Sequence, residues 1–424
     1  MKRVLIALLV AALTLVALVA YLNLRGEEKI APAAPTGSAA QLVERGAYLA
    51  RVGNCMTCHT DRGGAAFAGG RAIATPFGVV YSSNLTGDPK TGIGAWSADE
   101  FWRAMHNGRS RDGRLLYPAF PYPNYTTVTR ADSDAIFAFL RSQPGVQQAN
   151  KEHGLRWPFN TQVALAVWRA LYFSPGSYVE DTRKSAEWNR GAYLVEGLGH
   201  CAACHTARNA LGASANMMDL SGGLIPMQNW YAPALTSAAE AGVADWPVQD
   251  VVRVMQTGVS PRGSVLGPMA EVVLHSTQHW SDTDLRSMAV FLKALPQTAP
   301  PQVPREPTRV GTTVAERGAK LYEQHCVQCH GDQGQGVPGA YPPLAGNRAV
   351  LMPQTANLVQ IVLHGGYAPA TAGNPRPFGM PPYVLTLNDA DIATVLTHIR
   401  TSWGNAAPIV TEFDVARQRT STTQ

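Results

Sequence analysis

The hydrophobic positions of this chain fall into two patterns. The first is a single unbroken run: Val4 to Leu22 is an uncharged, apolar stretch of about 19 residues, close to the ~20 that cross a bilayer as a helix. Lys2 and Arg3 precede it, which favours a cytoplasmic N-terminus and puts the rest of the chain outside the cytoplasm. A cleaved signal peptide is the competing reading. A small-residue site stands at Ala31-Pro32-Ala33, but signal-peptide apolar regions are usually shorter than this run. The second pattern is helical spacing in short segments. Asp132–Arg141 carries Ile136, Phe137, Phe139 and Leu140. Asp282–Leu295 carries Leu285, Met288, Phe291, Leu292 and Leu295. Asn388–Ile399 carries Ile392, Val395, Leu396 and Ile399. Asp282 and Asn388 are the expected N-caps. Two more helices are predicted over Ser97–His106 and Val248–Gln256, each after a tryptophan, Trp96 and Trp246. The chain therefore reads as mainly α, with glycine- and proline-rich loops between helices.

Each of the three amphipathic segments closes a unit that opens on a repeated sequence. Arg45-Gly46-Ala47-Tyr48-Leu49, Arg190-Gly191-Ala192-Tyr193-Leu194 and Arg317-Gly318-Ala319-Lys320-Leu321 are each expected to form an entry helix. The repeat divides the chain into units at 40–146, 186–296 and 314–404. Residues 1–24 are the anchor or signal, 147–185 a linker, 297–313 a proline-rich spacer and 405–424 a polar tail. Within the first linker, Thr161–Phe173 is apolar and helix-like. It is expected to pack between domains, with a membrane-surface or partner contact as the alternative.

Composition narrows the class. With 46% hydrophobic and 15% charged residues over 424 positions, the chain is not disordered, and one spanning stretch excludes a multi-span membrane protein. A net charge of +5 without a dense Lys/Arg run gives no indication of nucleic-acid binding.

The six cysteines settle the chemistry. All lie in Cys55-Met56-Thr57-Cys58-His59, Cys201-Ala202-Ala203-Cys204-His205 and Cys326-Val327-Gln328-Cys329-His330. Each reads C-x-x-C-H, the pattern of covalent c-type haem attachment. Two thiols three positions apart reach the two vinyl groups of one porphyrin. The adjacent His59, His205 or His330 then gives its imidazole to the iron. A zinc site would need cysteine pairs close together in the chain, and a disulfide framework would not repeat the histidine. Three haems c are expected. Opposite each histidine a methionine is expected from the loop before the closing helix: Met269 in Gly267-Pro268-Met269-Ala270 and Met380 in Gly379-Met380-Pro381-Pro382. Met217, Met218, Met227, Met255, Met288 and Met352 lack that placement and read as core or loop residues. The first unit departs from the pattern, since its loop is Tyr117-Pro118-Ala119-Phe120-Pro121-Tyr122 and phenylalanine cannot bind iron. Met56 is on the wrong side. Met105 is the first remaining candidate, with His106 or an open position as alternatives.

With these residues in view, the sequence resembles the membrane-bound triheme cytochrome c subunits of bacterial periplasmic dehydrogenases. The resemblance runs over about residues 40 to 404, through Thr75-Pro76-Phe77-Gly78, Ser83-Asn84-Leu85-Thr86, Arg190 to Ala213, and Gly267 to Val273 with Ser276-Thr277-Gln278-His279. It implies three tandem cytochrome c domains after an N-terminal transmembrane helix on the periplasmic side of the inner membrane. It implies a separate catalytic subunit of quinoprotein, flavin or molybdopterin type, and ubiquinone or a soluble cytochrome as acceptor. The family's first loop usually reads Pro-Ala-Met-Pro-Tyr. Phe120 departs from it and is similar to the cytochromes that accompany molybdenum hydroxylases. The chain shows no dinucleotide, molybdopterin or quinoprotein motif, so electron transfer rather than substrate chemistry is expected. A terminal-oxidase cytochrome subunit or a haem peroxidase is the alternative.

Overall fold

The computed structural model describes residues 1–25, 27, 38–214, 219–298 and 310–420. The Ala31-Pro32-Ala33 site, Met217, Met218 and most of the proline-rich spacer lie outside these residues. The described chain is mainly helical and divides into two compact units.

The first unit holds residues 1–184 with 192–203 and 208–214. It opens with α1 (Lys2–Leu24), whose most apolar 18-residue window has a mean hydropathy of 2.8 and is nowhere buried. Next come α2 (Ala39–Val52), started by a Ser38–Gln41 capping box, and α3 (Ala98–Asn107), started by a Ser97–Glu100 box. These are followed by α4 (Arg130–Ser142) and α5 (Gln162–Tyr172). A small antiparallel sheet joins β1 (Ala72–Thr75), β2 (Gly78–Tyr81) and β3 (Gly154–Leu155). The expected linker therefore starts later than residue 147. Residues 148–155 return to the first unit, with the Asn84 amide donating to Asn150 Oδ1 at 2.7 Å and the Tyr81 amide to His153 Nδ1 at 3.1 Å. These are long-range polar contacts, which leave no periodic trace in a sequence.

The second unit holds 185–191, 204–207 and 219–420. Its helices include α6 (Ala186–Tyr193), shared with the first unit, α7 (Val248–Thr257), α8 (Pro268–His275) and α9 (Asp282–Lys293). They continue with α10 (Thr312–His325), α11 (Ala356–His364), α12 (Asp389–Thr401) and α13 (Glu412–Thr420). Ser281, not Asp282, caps α9, accepting from the Asp284 amide at 3.1 Å; Asn388 caps α12 as expected. The expected polar tail folds back, with a helix that runs to Thr420. Val410 (4% exposed) and Val415 (0%) enter a core with Ile392, Val395 and Leu396, so two well-placed valines outweigh a polar composition. The fully buried Arg400 secures that return, donating from Nε to the Pro408 carbonyl at 2.7 Å.

Three entry–exit helix pairs share one lock. Arg45 pairs with Asp132 (2.5 Å), Arg190 with Asp284 (2.8 Å) and Arg317 with Asp391 (2.5 Å). Each aspartate is the third residue of its exit helix, and its amide is capped by Thr129, Ser281 or Asn388. The residue after each arginine is glycine because the helices nearly touch there. A Cβ on Gly46 would lie 1.9 Å from the Ala135 carbonyl oxygen, and one on Gly191 would lie 2.0 Å from that of Ser287. At Gly318 the nearest atom, His398 Cβ, is at 2.7 Å. The Arg-Gly repeat is thus the mark of a helix crossing and its clamp.

Candidate haem-attachment sites

Each C-x-x-C-H motif sits at the end of an entry helix and makes a short helical turn of its own. That turn puts both thiols and the histidine close together. The histidines share one geometry. His59 Nδ1 lies 2.7 Å from the Ser83 carbonyl, His205 Nδ1 2.7 Å from that of Pro233, and His330 Nδ1 3.0 Å from that of Pro342. A carbonyl oxygen only accepts, so Nδ1 carries the proton and Nε2 is left with its lone pair for a metal. Burial lowers the pKa of all three imidazoles, opposed by the same carbonyls, which favours the neutral form a ligand needs.

A glycine closes each arrangement. The carbonyls of His59, His205 and His330 accept from the amides of Gly69, Gly222 and Gly336, each at 2.8 Å. All three glycines have positive φ (76°, 81° and 65°), and a Cβ on any of them would come within 2.4–2.5 Å of the facing chain. The glycines and the accepting carbonyls were not evident from sequence, because their distance from the histidine differs at every motif.

Cys55 and Cys326, the first cysteines of the first and third motifs, suit thioethers better than thiolates. Burial pushes the Cys55 thiol up to about 12, with the neighbouring Cys58 adding to it, and the Cys326 thiol up to about 11 in the same way through Cys329. A metal thiolate would have to bear that cost; a thioether carries no charge. Among the described residues no group of three or more His, Cys, Asp or Glu could hold a bare metal ion. The donor set therefore fits haem c.

The expected distal residues are placed as follows. Met380 pairs with Gly366 in a two-residue strand contact and packs, partly buried, on the core cluster that Cys326, Val327 and Leu344 also border. Met269 opens α8, after Gly267, whose φ is 56° and whose Cβ would meet the Trp230 indole at 2.8 Å. In the first unit Phe120 stands 5.4 Å from the Tyr125 ring. Tyr125 donates to the Gly53 carbonyl at 3.3 Å, and burial together with the Cys55 and Cys58 sulfurs pushes its phenol well up. Phe120 is thus one ring away from the first motif. Met105 (6% exposed) is enclosed by protein on α3. His106 stacks on Trp102 at 4.5 Å.

Comparison with known proteins agrees with this chemistry. The cytochrome c family matches residues 43–144 and 315–403. The chain is 39% identical to the cytochrome c subunit of alcohol dehydrogenase (quinone) from Gluconacetobacter polyoxogenes, over 89% of this chain and 84% of the relative. It is 38% identical to the gluconate 2-dehydrogenase cytochrome c subunit of Pantoea cypripedii, over 89% of each. It is 40% identical to a nicotinate dehydrogenase subunit of Pseudomonas putida, over 88% of this chain and 31% of that longer protein.

Proposed function

This chain belongs to the family of dehydrogenase cytochrome c subunits, and from that premise we propose that it is the electron relay of a periplasmic dehydrogenase complex. It is an electron-transfer subunit; a partner polypeptide carries the catalytic site. Three tandem cytochrome c domains would pass electrons from that partner to ubiquinone or a soluble cytochrome. The observation that carries this reading is the threefold recurrence of one device: motif, imidazole on a carbonyl, left-handed glycine and Arg–Asp-clamped helix crossing.

Haem c, when bound, supplies a one-electron iron couple. Cys55 and Cys58, Cys201 and Cys204, and Cys326 and Cys329 would hold it covalently. His59, His205 and His330 would take the proximal position, oriented by the carbonyls of Ser83, Pro233 and Pro342. Met269 and Met380 would take the distal position and raise the potential of the second and third sites. At the first site Phe120 would cover the distal side with a hydrocarbon face. Met105, enclosed by protein on α3, is the candidate sulfur there.

The partner is of quinoprotein, flavin or molybdopterin type, and the Phe120 loop favours the last. We also infer that α1 is retained as a single-pass anchor, with the domains on the periplasmic side of the inner membrane. Its last turn is built into the fold: Asn23 is 6% exposed, and the buried Arg169 donates to Asn23 Oδ1 at 3.0 Å. Cleavage beyond residue 23 would leave that guanidinium short of an acceptor.

Two measurements test the reading. Intact mass of the purified chain is expected to exceed the polypeptide mass by three haems, and a gain of one or two refutes the count. The chain is also expected to copurify with a dehydrogenase subunit and to be reduced by that enzyme's substrate. Copurification with a copper–haem oxidase would instead make it a terminal-oxidase subunit. Phe120→Met tests the first site separately. It is expected to change the spectrum and the potential of the first haem, and to suppress carbon monoxide binding if the native site is open. An unchanged spectrum and potential would mean that this loop does not face the iron.

A further inference from the structure

The helix α5 has two faces. One is closed against the protein by Leu165 (5% exposed) and Arg169 (3%). The other presents Val163 (74%), Val167 (42%) and Leu171 (63%) in a stripe at four-residue spacing, and Trp157 (81%) lies just before the helix. Arg169 is the one charged residue of α5, and it points inward, so no charge interrupts the exposed stripe.

The end of α1 is fastened to this same helix. Asn23 Nδ2 donates to the Ala166 carbonyl at 2.8 Å, Arg169 Nε donates to Asn23 Oδ1 at 3.0 Å, and Arg25 donates to Ser174 Oγ at 2.8 Å. Arg109, which pairs with Glu27 at 2.5 Å, donates to the Asn23 carbonyl at 3.3 Å. A buried polar network of this kind belongs where the apolar run ends, at the level of the headgroups. A helix with side chains is ~10–12 Å across. The headgroup zone on each side of the hydrocarbon is roughly 5–8 Å deep. A stripe one helix diameter from the Asn23 clasp is therefore within reach of the bilayer surface.

We propose that α5 is a second membrane contact, lying in the lipid–water interface beside the exit of α1 with Val163, Val167 and Leu171 in the acyl boundary. The occupant of this face is lipid. The stripe continues an interface that α1 has already entered, and it resembles the apolar side of a helix that rests 5–10 Å into the boundary region. Together the two helices would fix the height and tilt of the first unit above the membrane, which one crossing helix alone would not do. The proposal rests on the reading of α1 as a retained anchor.

The test uses the full chain in phosphatidylcholine nanodiscs. The native cysteines are consumed as thioethers, so a single added cysteine carries a nitroxide at one of three positions: Thr14→Cys in the middle of α1, Val167→Cys on the stripe, or Lys90→Cys on an exposed loop. Accessibility to oxygen and to a water-soluble nickel chelate is read by power saturation. The expected oxygen-to-nickel ratio at 167 is several-fold above that at 90 and below that at 14. If 14 is lipid-like and 167 matches 90, the interfacial helix is overturned and the anchor stands. If 14 and 167 both match 90, the anchor reading fails with it. Protection of 167 from both reagents would mean that protein covers the stripe, which also overturns the proposal.

Discussion

Met380→Ala is expected to remove the methionine–iron charge-transfer band of one haem and to lower its potential by about a tenth of a volt or more, within the ~0.8 V that axial ligands span. Met269→Ala is expected to do the same at a second haem. The reason is chemical: a neutral thioether stabilises the reduced iron, and alanine offers no donor in its place. Met380 also borders a core, so a change in stability alone would not identify a ligand. Met352→Ala is the control. Met352 belongs to the same unit and is 4% exposed, as a core residue should be. Its loss is expected to cost stability, about 2–5 kcal/mol for a fully buried methionine, and to leave every potential unchanged. If Met269→Ala and Met380→Ala both keep wild-type spectra and potentials, the distal assignment is wrong.

Gly46→Ala is expected to destabilise the first unit, although alanine is the better helix former by up to ~1 kcal/mol. The added Cβ would sit 1.9 Å from the Ala135 carbonyl oxygen and 2.8 Å from Phe139 Cβ. A backbone carbonyl in the middle of α4 cannot swing away as a side-chain tip can, so α2 and α4 must separate. Overpacking of this kind costs ~1–3 kcal/mol or more. A net loss of about 2 kcal/mol corresponds to a Tm fall of roughly 4–8 °C for a unit of this size. Gly191→Ala, with its Cβ 2.0 Å from the Ser287 carbonyl oxygen, is expected to match it. Gly318→Ala, whose nearest neighbour is at 2.7 Å, is expected to cost less. Thermal unfolding followed by haem absorbance orders the three. Equal stability of all three variants and the wild type would show that the crossings are looser than described.

Much of the framework was legible. The exit helices appeared within two or three residues of their observed bounds, because burial of one helical face writes a period into the sequence. The partner of the Arg-Gly repeat could also have been found. Thr129-x-x-Asp132, Ser281-x-x-Asp284 and Asn388-x-x-Asp391 recur once per unit, each at the start of an exit helix. The return of residues 148–155 and the burial of Val410 and Val415 were less accessible, since neither leaves a local period.

The sequence by itself determined the attachment chemistry and how often its motif recurs. Covalent haem attachment is local: two thiols and an imidazole within five consecutive residues carry all of it, and each copy is complete wherever the chain goes. The tertiary structure decided which carbonyls orient those imidazoles. Ser83, Pro233 and Pro342 lie 24, 28 and 12 residues from their histidines. It also decided that Asn23 meets Arg169 across 146 positions, tying α1 to α5. Every residue carries the same carbonyl, and an asparagine gives no sign of a partner so far along the chain. Such pairings exist only once packing has brought the segments together, because a hydrogen bond depends on distance and direction in space and not on order in the chain.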